Sequence, residues 1–331
     1  MSNPITTKVN SVPKSDIEIL NQEIDENEGQ YRIRAGNRVH YVTIPGYASP
    51  NRIFDEDTLC RPYLLVPKLP PFPDGDWTKM RLSLGLDGSV QPDISFEPLD
   101  EVEFTWHPQH IDVLSLKRIK YHKQRVREVE YEGKPAISKI AVLQWLVPQV
   151  EHEARMYEAL TRLQCPDEVR ITPEVLGHLL EGGKNIGLLL EKIEGHHATL
   201  ADLPKCEAAL RKLHKLGFVH GDANRYNLII ERSTGNVKMI DFEHAEEYDE
   251  KKAKAEIEEL ASELTDESGR VRHSNGQHEP TSHPANAISS AKPSYVTLTP
   301  RLSGLGWVEM VYKAGHACVR IAPDTRVLRK F

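Results

Sequence analysis

The sequence predicts a mixed α+β fold, and three patterns support this prediction. Apolar residues recur at helical spacing over 201–216, and Gly217 follows as a helix C-cap. Two short apolar runs, 228–230 and 237–240, are separated by a polar turn and predict the two strands of a hairpin. A further apolar run over 135–142 predicts another strand. Predicted helices and strands therefore occur together between residues 135 and 240, as in a mixed α+β fold.

The loop between the predicted helix and hairpin carries polar residues whose spacing indicates a functional site. His220, Gly221 and Asp222 are followed five residues later by Asn227, and Asp241 comes directly after the hairpin. Because Asn227 and Asp241 flank the open ends of one hairpin, we expect them close together. Their oxygens are hard ligands of the kind that Mg²⁺ prefers. A third group, the Asp222 carboxylate, can accept or orient a hydroxyl proton. The pattern predicts phosphoryl transfer, with Asp222 as the catalytic base and Asn227 and Asp241 as metal ligands.

A lysine and a glutamate upstream complete this hypothesis. Lys139 interrupts the apolar strand over 135–142 with a charge that can pair with phosphates. The segment 150–163 has helical periodicity, and Glu153 borders its apolar face. Glu153 is the preferred partner of Lys139, with Glu151 and Glu158 as rivals. The alternative is that all three glutamates are ordinary solvated helix charges.

The run 213–227 resembles the catalytic loop of the protein kinase-like superfamily. With Asp-Phe-Glu at 241–243, it is more similar to aminoglycoside and choline kinase-type phosphotransferases, and it also resembles fungal kinase-like proteins. The resemblance covers roughly 134–265. It implies a two-lobed protein kinase-like fold that binds ATP and Mg²⁺ and phosphorylates a hydroxyl of a small molecule or a protein. The segment 187–195 resembles the hinge that receives the adenine, which implies that Glu191 contacts the nucleotide.

Two departures from the kinase pattern favour an alternative. No glycine lies between Gly88 and Gly133, where a glycine-rich phosphate loop is expected. A basic stretch from Arg118 to Arg127 takes its place, either to supply charge to phosphates or as a solvated strand pair or partner-binding face. Only one predicted helix, 250–264, follows the hairpin, so we expect a reduced C-terminal lobe. Both departures suit a pseudokinase that binds a nucleotide or acts as a scaffold without catalysis.

The composition divides the chain into segments with different predicted order. An ordered loop anchored by Phe72 and Trp77 is expected in the proline-rich part of the N-terminal third. We expect a flexible N-terminus (1–30), an extension with strands and this proline-rich loop (31–110), a kinase-like core (111–265), a disordered linker (266–293) and a C-terminal tail (294–331). The apolar runs 295–298 and 307–312 of the tail form a strand pair, pack on the core or belong to an extension with no settled fold.

Charge and cysteine usage limit the predicted partners and compartment. The 331 residues include 42 basic and 49 acidic side chains, a formal net charge of -7 that argues against broad nucleic-acid binding. Four scattered cysteines lack metal or disulfide spacing, which predicts reduced thiols in the cytoplasm or nucleus. No signal peptide or membrane-spanning stretch is visible, so no membrane partner is expected. The oligomeric state stays open.

Overall fold

The computed structural model describes residues 11–165, 168–267, 308–313 and 316–321. The chain divides into two compact units, 1–154 with 174–192 and 155–173 with 193–331. Both units combine strands with helices, so the predicted mixed α+β fold is confirmed. None of the helices in the described ranges is long and apolar enough to cross a membrane.

The first unit consists mainly of β-strands. Its helices are α1 (Glu56–Cys60) and α2 (Pro62–Lys68), and α3 (Val147–Leu163) begins in this unit. Its strands are β1 (Ser11–Val12), β2 (Ile17–Ile24), β3 (Glu28–Ala35), β4 (Arg38–Pro45), β5 (Phe72–Pro73), β6 (Lys79–Leu84), β7 (Val90–Ser95), β8 (His110–Asp112), β9 (Lys117–Lys123), β10 (Val126–Tyr131), β11 (Lys134–Ile140), β12 (Val175–Glu181) and β13 (Lys184–Glu191).

A five-stranded sheet with the order β2-β3-β4-β6-β7 occupies the N-terminal third. Its strands are antiparallel except for the parallel pair β4 and β6, which α1 and α2 connect. The apolar residues Tyr31, Ile33 and Val42 pack with Phe72 and Trp77 in one buried cluster. The loop after α2 is therefore anchored by Phe72 and Trp77, as the sequence predicts.

The structure differs from one sequence-based expectation in this sheet. The segment 1–30 is predicted to be flexible, yet β2 forms within it and pairs with β3. Only some residues of β2 are buried, among them Ile17 and Leu20, and its overall composition is polar, so the sequence does not reveal the strand. The helix α2 forms at the start of the proline-rich part, before the loop that Phe72 and Trp77 anchor. Pro62 stands at the first helical position, where its missing N–H costs nothing.

A six-stranded sheet with the order β8-β12-β13-β11-β10-β9 forms the second part of this unit. The strands β9, β10 and β11 form an antiparallel meander, and β13 pairs with the other side of β11. Lys139 pairs with Val126 on β10, and Ile137 pairs with both Glu128 on β10 and Leu190 on β13. Because side chains alternate along a strand, Lys139, Ile137 and Glu128 share one face of the sheet.

A buried polar cluster joins the two sheets of the first unit. The Arg32 guanidinium donates to Glu181 from Nε over 3.0 Å and from Nη1 to Asn21 over 3.0 Å. The Tyr41 hydroxyl also donates to Glu181, over 3.0 Å. Arg32 and Glu181 belong to different sheets, so this ion pair fixes the N-terminal extension to the sheet that carries Lys139.

The second unit holds the predicted helix and hairpin. Its helices are α4 (Leu203–Lys215) and α5 (Glu250–Thr265). Its strands are β14 (Gly195–His197), β15 (Phe218–Val219), β16 (Leu228–Glu231), β17 (Val237–Met239), β18 (Glu246–Glu247), β19 (Val308–Lys313) and β20 (His316–Ile321). The strands β14, β16 and β17 form one sheet, and β15 pairs with β18.

The C-terminal part of the chain is described only in pieces. The strands β19 and β20 pair antiparallel. Of the two apolar runs noted in the tail, 307–312 largely coincides with β19, and 295–298 lies outside the described residues. The predicted linker 266–293 lies outside the described residues except for 266 and 267. Between Asp241 and residue 267, the described chain contains one α-helix, α5.

Candidate active site

The helix α4 delivers the chain to the catalytic loop, which we define as residues 220–227. Cys206, Leu210 and Leu213 bury one face of α4. Gly217 ends the helical path with a φ of 95°, a left-handed value that favours glycine. The short strand β15 follows directly and leads into the loop. The loop therefore begins at a fixed point of the second unit.

The Asp222 carboxylate is held by two side-chain amides of the same loop. Asn224 Nδ2 donates to Oδ1 over 3.0 Å, and Asn227 Nδ2 donates to Oδ2 over 2.8 Å. Asn227 Nδ2 also donates to the Asp222 backbone carbonyl over 2.9 Å. The amide nitrogen of Asn227 is thus engaged, and within the described chain its Oδ1 accepts no hydrogen bond. That oxygen can serve a cation.

Asp241 lies at the same end of the β16–β17 hairpin as Asn227. The Ile240 amide donates to the Asn227 carbonyl over 3.0 Å, which fastens the two segments side by side. Asp241 adopts a left-handed backbone conformation, with φ 68° and ψ 60°. Aspartate tolerates this region better than most residues, at a cost of about 1–2 kcal/mol. The expected proximity of the Asn227 and Asp241 segments is confirmed.

His220 holds the backbone next to Asp241 in place. It is buried, and its Nε2–H donates to the Ile240 carbonyl over 3.1 Å. Its ring packs on Phe242 with centroids 5.0 Å apart, and Phe242 packs edge-on against Tyr157. Burial lowers the pKa of His220, so the imidazole stays neutral and keeps this orientation. The histidine positions the backbone just before Asp241.

Glu256 on α5 anchors the catalytic loop, and sequence analysis missed it. Gly221 N–H donates to Glu256 Oε1 over 2.6 Å, and His214 Nε2 lies 2.7 Å from Glu256 Oε2. Gly221 has a φ of 77°, and an added Cβ would overlap the His244 carbonyl oxygen. In the sequence, Glu256 looks like one more solvated charge of an acidic helix. Only its position opposite the loop distinguishes it.

The first unit contains the predicted lysine and glutamate pair. Lys139 Nζ lies 2.6 Å from Glu153 Oε2, and the side chains are only 8% and 2% exposed. The two rival glutamates have other partners. Glu151 accepts a hydrogen bond from the Glu103 amide over 3.0 Å, and Glu158 pairs with Arg162. The structure therefore selects Glu153 as the partner of Lys139.

Glu191 lies at the end of β13, within the predicted hinge segment. Its backbone N–H donates to the Glu174 carbonyl over 2.8 Å, and its carboxylate accepts a hydrogen bond from the Glu174 amide over 3.2 Å. These groups hold the start of β12 against the end of β13. The contact of Glu191 with a nucleotide stays a prediction.

The turn between β9 and β10 takes the place of a glycine-rich loop. It consists of Gln124 and Arg125 alone, because β9 ends at 123 and β10 begins at 126. The Arg125 carbonyl accepts a hydrogen bond from the Ile140 amide over 3.1 Å, and its Nη1 donates to Gln149 over 3.2 Å. All seven residues of β9 are exposed. The basic stretch thus lies on a strand pair, as in one of its predicted alternatives; β9 is exposed, whereas Arg127 on β10 is half-buried.

The residues around Asn227 and Asp241 fit Mg²⁺ rather than a metal that needs a full protein cage. In the part of the chain that the structure describes, no group of three or more His, Cys, Asp and Glu side chains is arranged to hold a metal ion. Mg²⁺ usually takes one or two protein oxygens and completes its shell with water and phosphate oxygens. Asn227 Oδ1 and the Asp241 carboxylate supply that number.

Comparison with known families places this geometry in context. Residues 110–259 match the family model of the RIO domain, an atypical kinase domain of the protein kinase-like superfamily. The match covers a little under half of the chain and includes β8 through most of α5. The resemblance to the protein kinase-like superfamily and the kinase-like fold are therefore confirmed. No curated protein matches the chain.

Proposed function

We propose that this protein, which carries a RIO domain over residues 110–259, is an ATP- and Mg²⁺-dependent phosphotransferase that acts on a hydroxyl acceptor. The RIO domain implies an ATP-binding phosphotransferase of the atypical kinase type. One observation carries the finer proposal. The amide of Asn227 donates to both the carboxylate and the backbone carbonyl of Asp222, which orients the base and leaves one oxygen for a cation.

Each side chain then has a definite task. Asp222 accepts or orients the proton of the acceptor hydroxyl, and the Asn224 and Asn227 amides fix its carboxylate. Asn227 and Asp241 would hold Mg²⁺, which neutralises phosphate charge when bound. Lys139 would pair with the phosphates, and Glu153 holds its ammonium in place. Glu191 would lie near the base.

The acceptor is either a small molecule or a protein, and the Asp-Phe-Glu form of 241–243 favours a small molecule. The nucleotide is the partner that the site chemistry supports. Composition argues against nucleic acid and membrane partners. A cytoplasmic or nuclear location and a fungal source stay predictions.

A thermal-shift titration with ATP, with and without Mg²⁺, tests the binding part of this proposal. We expect stabilisation by ATP that requires Mg²⁺, on the order of 2.7 kcal/mol when ATP is 100-fold above its Kd. The matched variant is Asp241→Asn, because asparagine also accepts the left-handed backbone but lacks the charge. It should lose most of the Mg²⁺ dependence. The absence of any shift in the wild-type protein would contradict the proposal.

A pseudokinase is the second candidate, and two observations favour it. The two-residue turn at Gln124 and Arg125 cannot cover phosphates with backbone amides as a glycine-rich loop does. One α-helix, α5, follows Asp241 in the described chain, which leaves a small platform for an acceptor. Mg²⁺-dependent ATP binding without any ADP formation would identify this function.

A further inference from the structure

A second ion pair lies on the same face of the six-stranded sheet as Lys139. Lys192 Nζ lies 3.0 Å from Glu128 Oε1, and His122 Nε2 lies 3.4 Å from the other oxygen, Oε2. The Glu128 side chain is 9% exposed and that of Lys192 is 24% exposed. Both carboxylate oxygens are therefore engaged. Lys192 also holds the pKa of the Glu128 carboxyl below its usual range through this hydrogen bond, so the pair persists in mild acid.

The strand order places this pair across β11. Glu128 is on β10 and Lys192 follows the end of β13, while β11 lies between these two strands. Glu128 and Ile137 are direct neighbours in the register, and Ile137 precedes Lys139 by two residues on the same face. Strands are spaced by about 4.8 Å, so the ion pair bridges roughly 10 Å of sheet. The ion pair crosses β11 near Ile137, which lies about 7 Å from Lys139 along the strand.

A ligand anchored at Lys139 can extend over the sheet in one direction. Glu153 of α3 occupies one side of the lysine, and β11 ends at Ile140, one residue later. The sheet face continues on the other side, toward Ile137 and the end of β13, where Glu191 lies. The base of a nucleotide whose phosphates meet Lys139 therefore falls on the strip that the Glu128–Lys192 pair crosses.

We propose that the Glu128–Lys192 ion pair weakens the contribution of the base to binding of the phosphate donor by covering the base end of this face. A purine stacks best on an apolar surface, whereas a buried ion pair must be displaced or desolvated before a flat ring can lie there. The phosphates then supply most of the affinity, and the base adds little. This inference rests on the proposed nucleotide function and on the Lys139 phosphate contact.

The chain offers a matched control for this pair. Glu130 is on the same face of β10, two residues from Glu128, and it pairs with Lys117 over 3.1 Å. Its side chain is 43% exposed and that of Lys117 is 77% exposed. The two glutamates have the same chemistry and strand, but only Glu128 is part of a bridge over β11. Glu128→Val and Glu130→Val therefore make the same chemical change on the same face of one strand, at a buried and at an exposed position.

Isothermal titration of the full chain with Mg²⁺–ATP and with Mg²⁺–tripolyphosphate tests the inference. Glu128→Val should bind ATP about tenfold more tightly than the wild-type protein, the effect of one added apolar contact, with unchanged affinity for tripolyphosphate. Glu130→Val should change neither affinity. If Glu128→Val does not fold, Lys192→Met removes the same bridge and should give the same selective gain.

Three outcomes separate the claims. A selective gain for ATP supports the inference. If the wild-type protein and both variants bind the two ligands with the same affinities, or if ATP binding weakens, the proposed effect of the ion pair on the base is wrong while the nucleotide site stands. If no protein binds either ligand, the nucleotide function itself fails, and the inference falls with it.

Discussion

The catalytic loop and the sheet face that carries Lys139 are organised by different interactions. In the loop, residues close in sequence hold one another, as Asn224 and Asn227 hold Asp222 through hydrogen bonds of 2.8–3.0 Å. On the sheet face, charges from distant segments pair, as in Lys139 with Glu153 and Glu128 with Lys192. A loop of local hydrogen bonds is encoded by a short motif. Ion pairs between distant segments depend on no local motif, so they can be replaced without a change in the strands that carry them.

This difference explains how the chain combines features of an enzyme and of a pseudokinase. In the loop, the Asn227 amide holds Asp222 in the orientation that the proposed phosphotransfer needs. The sheet face keeps the Lys139 pair but has a two-residue turn instead of a phosphate loop and an ion pair over Ile137. The departures thus concern the residues proposed to hold the donor, whereas the hydrogen bonds around Asp222 keep the arrangement that the proposed reaction needs.

The largest effect on stability is expected from Lys139→Met. The substitution removes the cation beside Glu153, whose side chain is 2% exposed, and a broken buried ion pair typically costs about 3–5 kcal/mol. Urea denaturation measures this loss in the free energy of unfolding. The double variant with Glu153→Leu should recover most of it, because an apolar pair can replace a buried ion pair. A loss below about 1 kcal/mol in the single variant would contradict the burial of this pair.

Glu256→Ala is expected to lower the free energy of unfolding less than Lys139→Met does, and to reduce turnover as well. The Gly221 amide and His214 lose their common acceptor, at a cost of about 1–2 kcal/mol because Gly221 is exposed and water replaces part of the bond. Turnover should fall mainly in kcat, since the loop that carries Asp222 loses its anchor. Steady-state kinetics and denaturation together measure the two effects.

Glu258→Ala is the control for this anchor. Glu258 lies on the same helix and forms only an exposed pair with Lys254 at 3.6 Å. Its removal should change the free energy of unfolding by no more than about 0.5 kcal/mol. Equal effects of the two substitutions on kcat would show that Glu256 has no special role in the loop.

How much of this could be predicted depends on the range of the interactions. The helix predicted over 201–216 is found at Leu203–Lys215, and the one predicted over 250–264 at Glu250–Thr265. Helical periodicity and a C-cap glycine are local signals, and so is the spacing from Asp222 to Asn227. These parts of the fold and of the site therefore follow from the sequence.

The rest could not be predicted, because it depends on which distant segments meet. Glu128 and Lys192 are 64 residues apart, and neither stands out among 91 charged side chains. Glu256 likewise acquires its role only when α5 lies against Gly221. The strand β2 is stabilised by pairing with β3, which its polar composition hides. Pairing partners of exposed or half-buried charges have no local signature.

The smallest expected effect is a change of stability with pH, and it comes from the buried side chain of His178. Its Nε2 accepts hydrogen bonds from the Trp106 and His107 amides over 3.0 and 3.2 Å. Burial, with repulsion from His110 and His107, lowers its pKa from 6.5 to about 4. The unfolded chain therefore binds this proton first, so stability is complete above pH 6.5 and is lost as the pH falls toward 4.

Denaturation at pH 7.5 and pH 5.0 checks this sign. The wild-type protein should be less stable at the lower pH, and His178→Gln should reduce the difference between the two values. His220 in the loop has a pKa lowered in the same direction, so part of the pH dependence should survive in the variant. A wild-type protein that gains stability on acidification would contradict both assignments.

The rate of Mg²⁺-dependent ADP formation in the wild-type protein and in Asp222→Ala tests the proposed role of Asp222 most directly. Water can serve as the acceptor, so the measurement does not require the natural one. We predict that the substitution lowers the rate by about 10²- to 10⁴-fold, the usual value of general-base assistance, while the thermal shift with Mg²⁺–ATP is retained. A folded Asp222→Ala protein that keeps the full rate would contradict the assignment of this carboxylate.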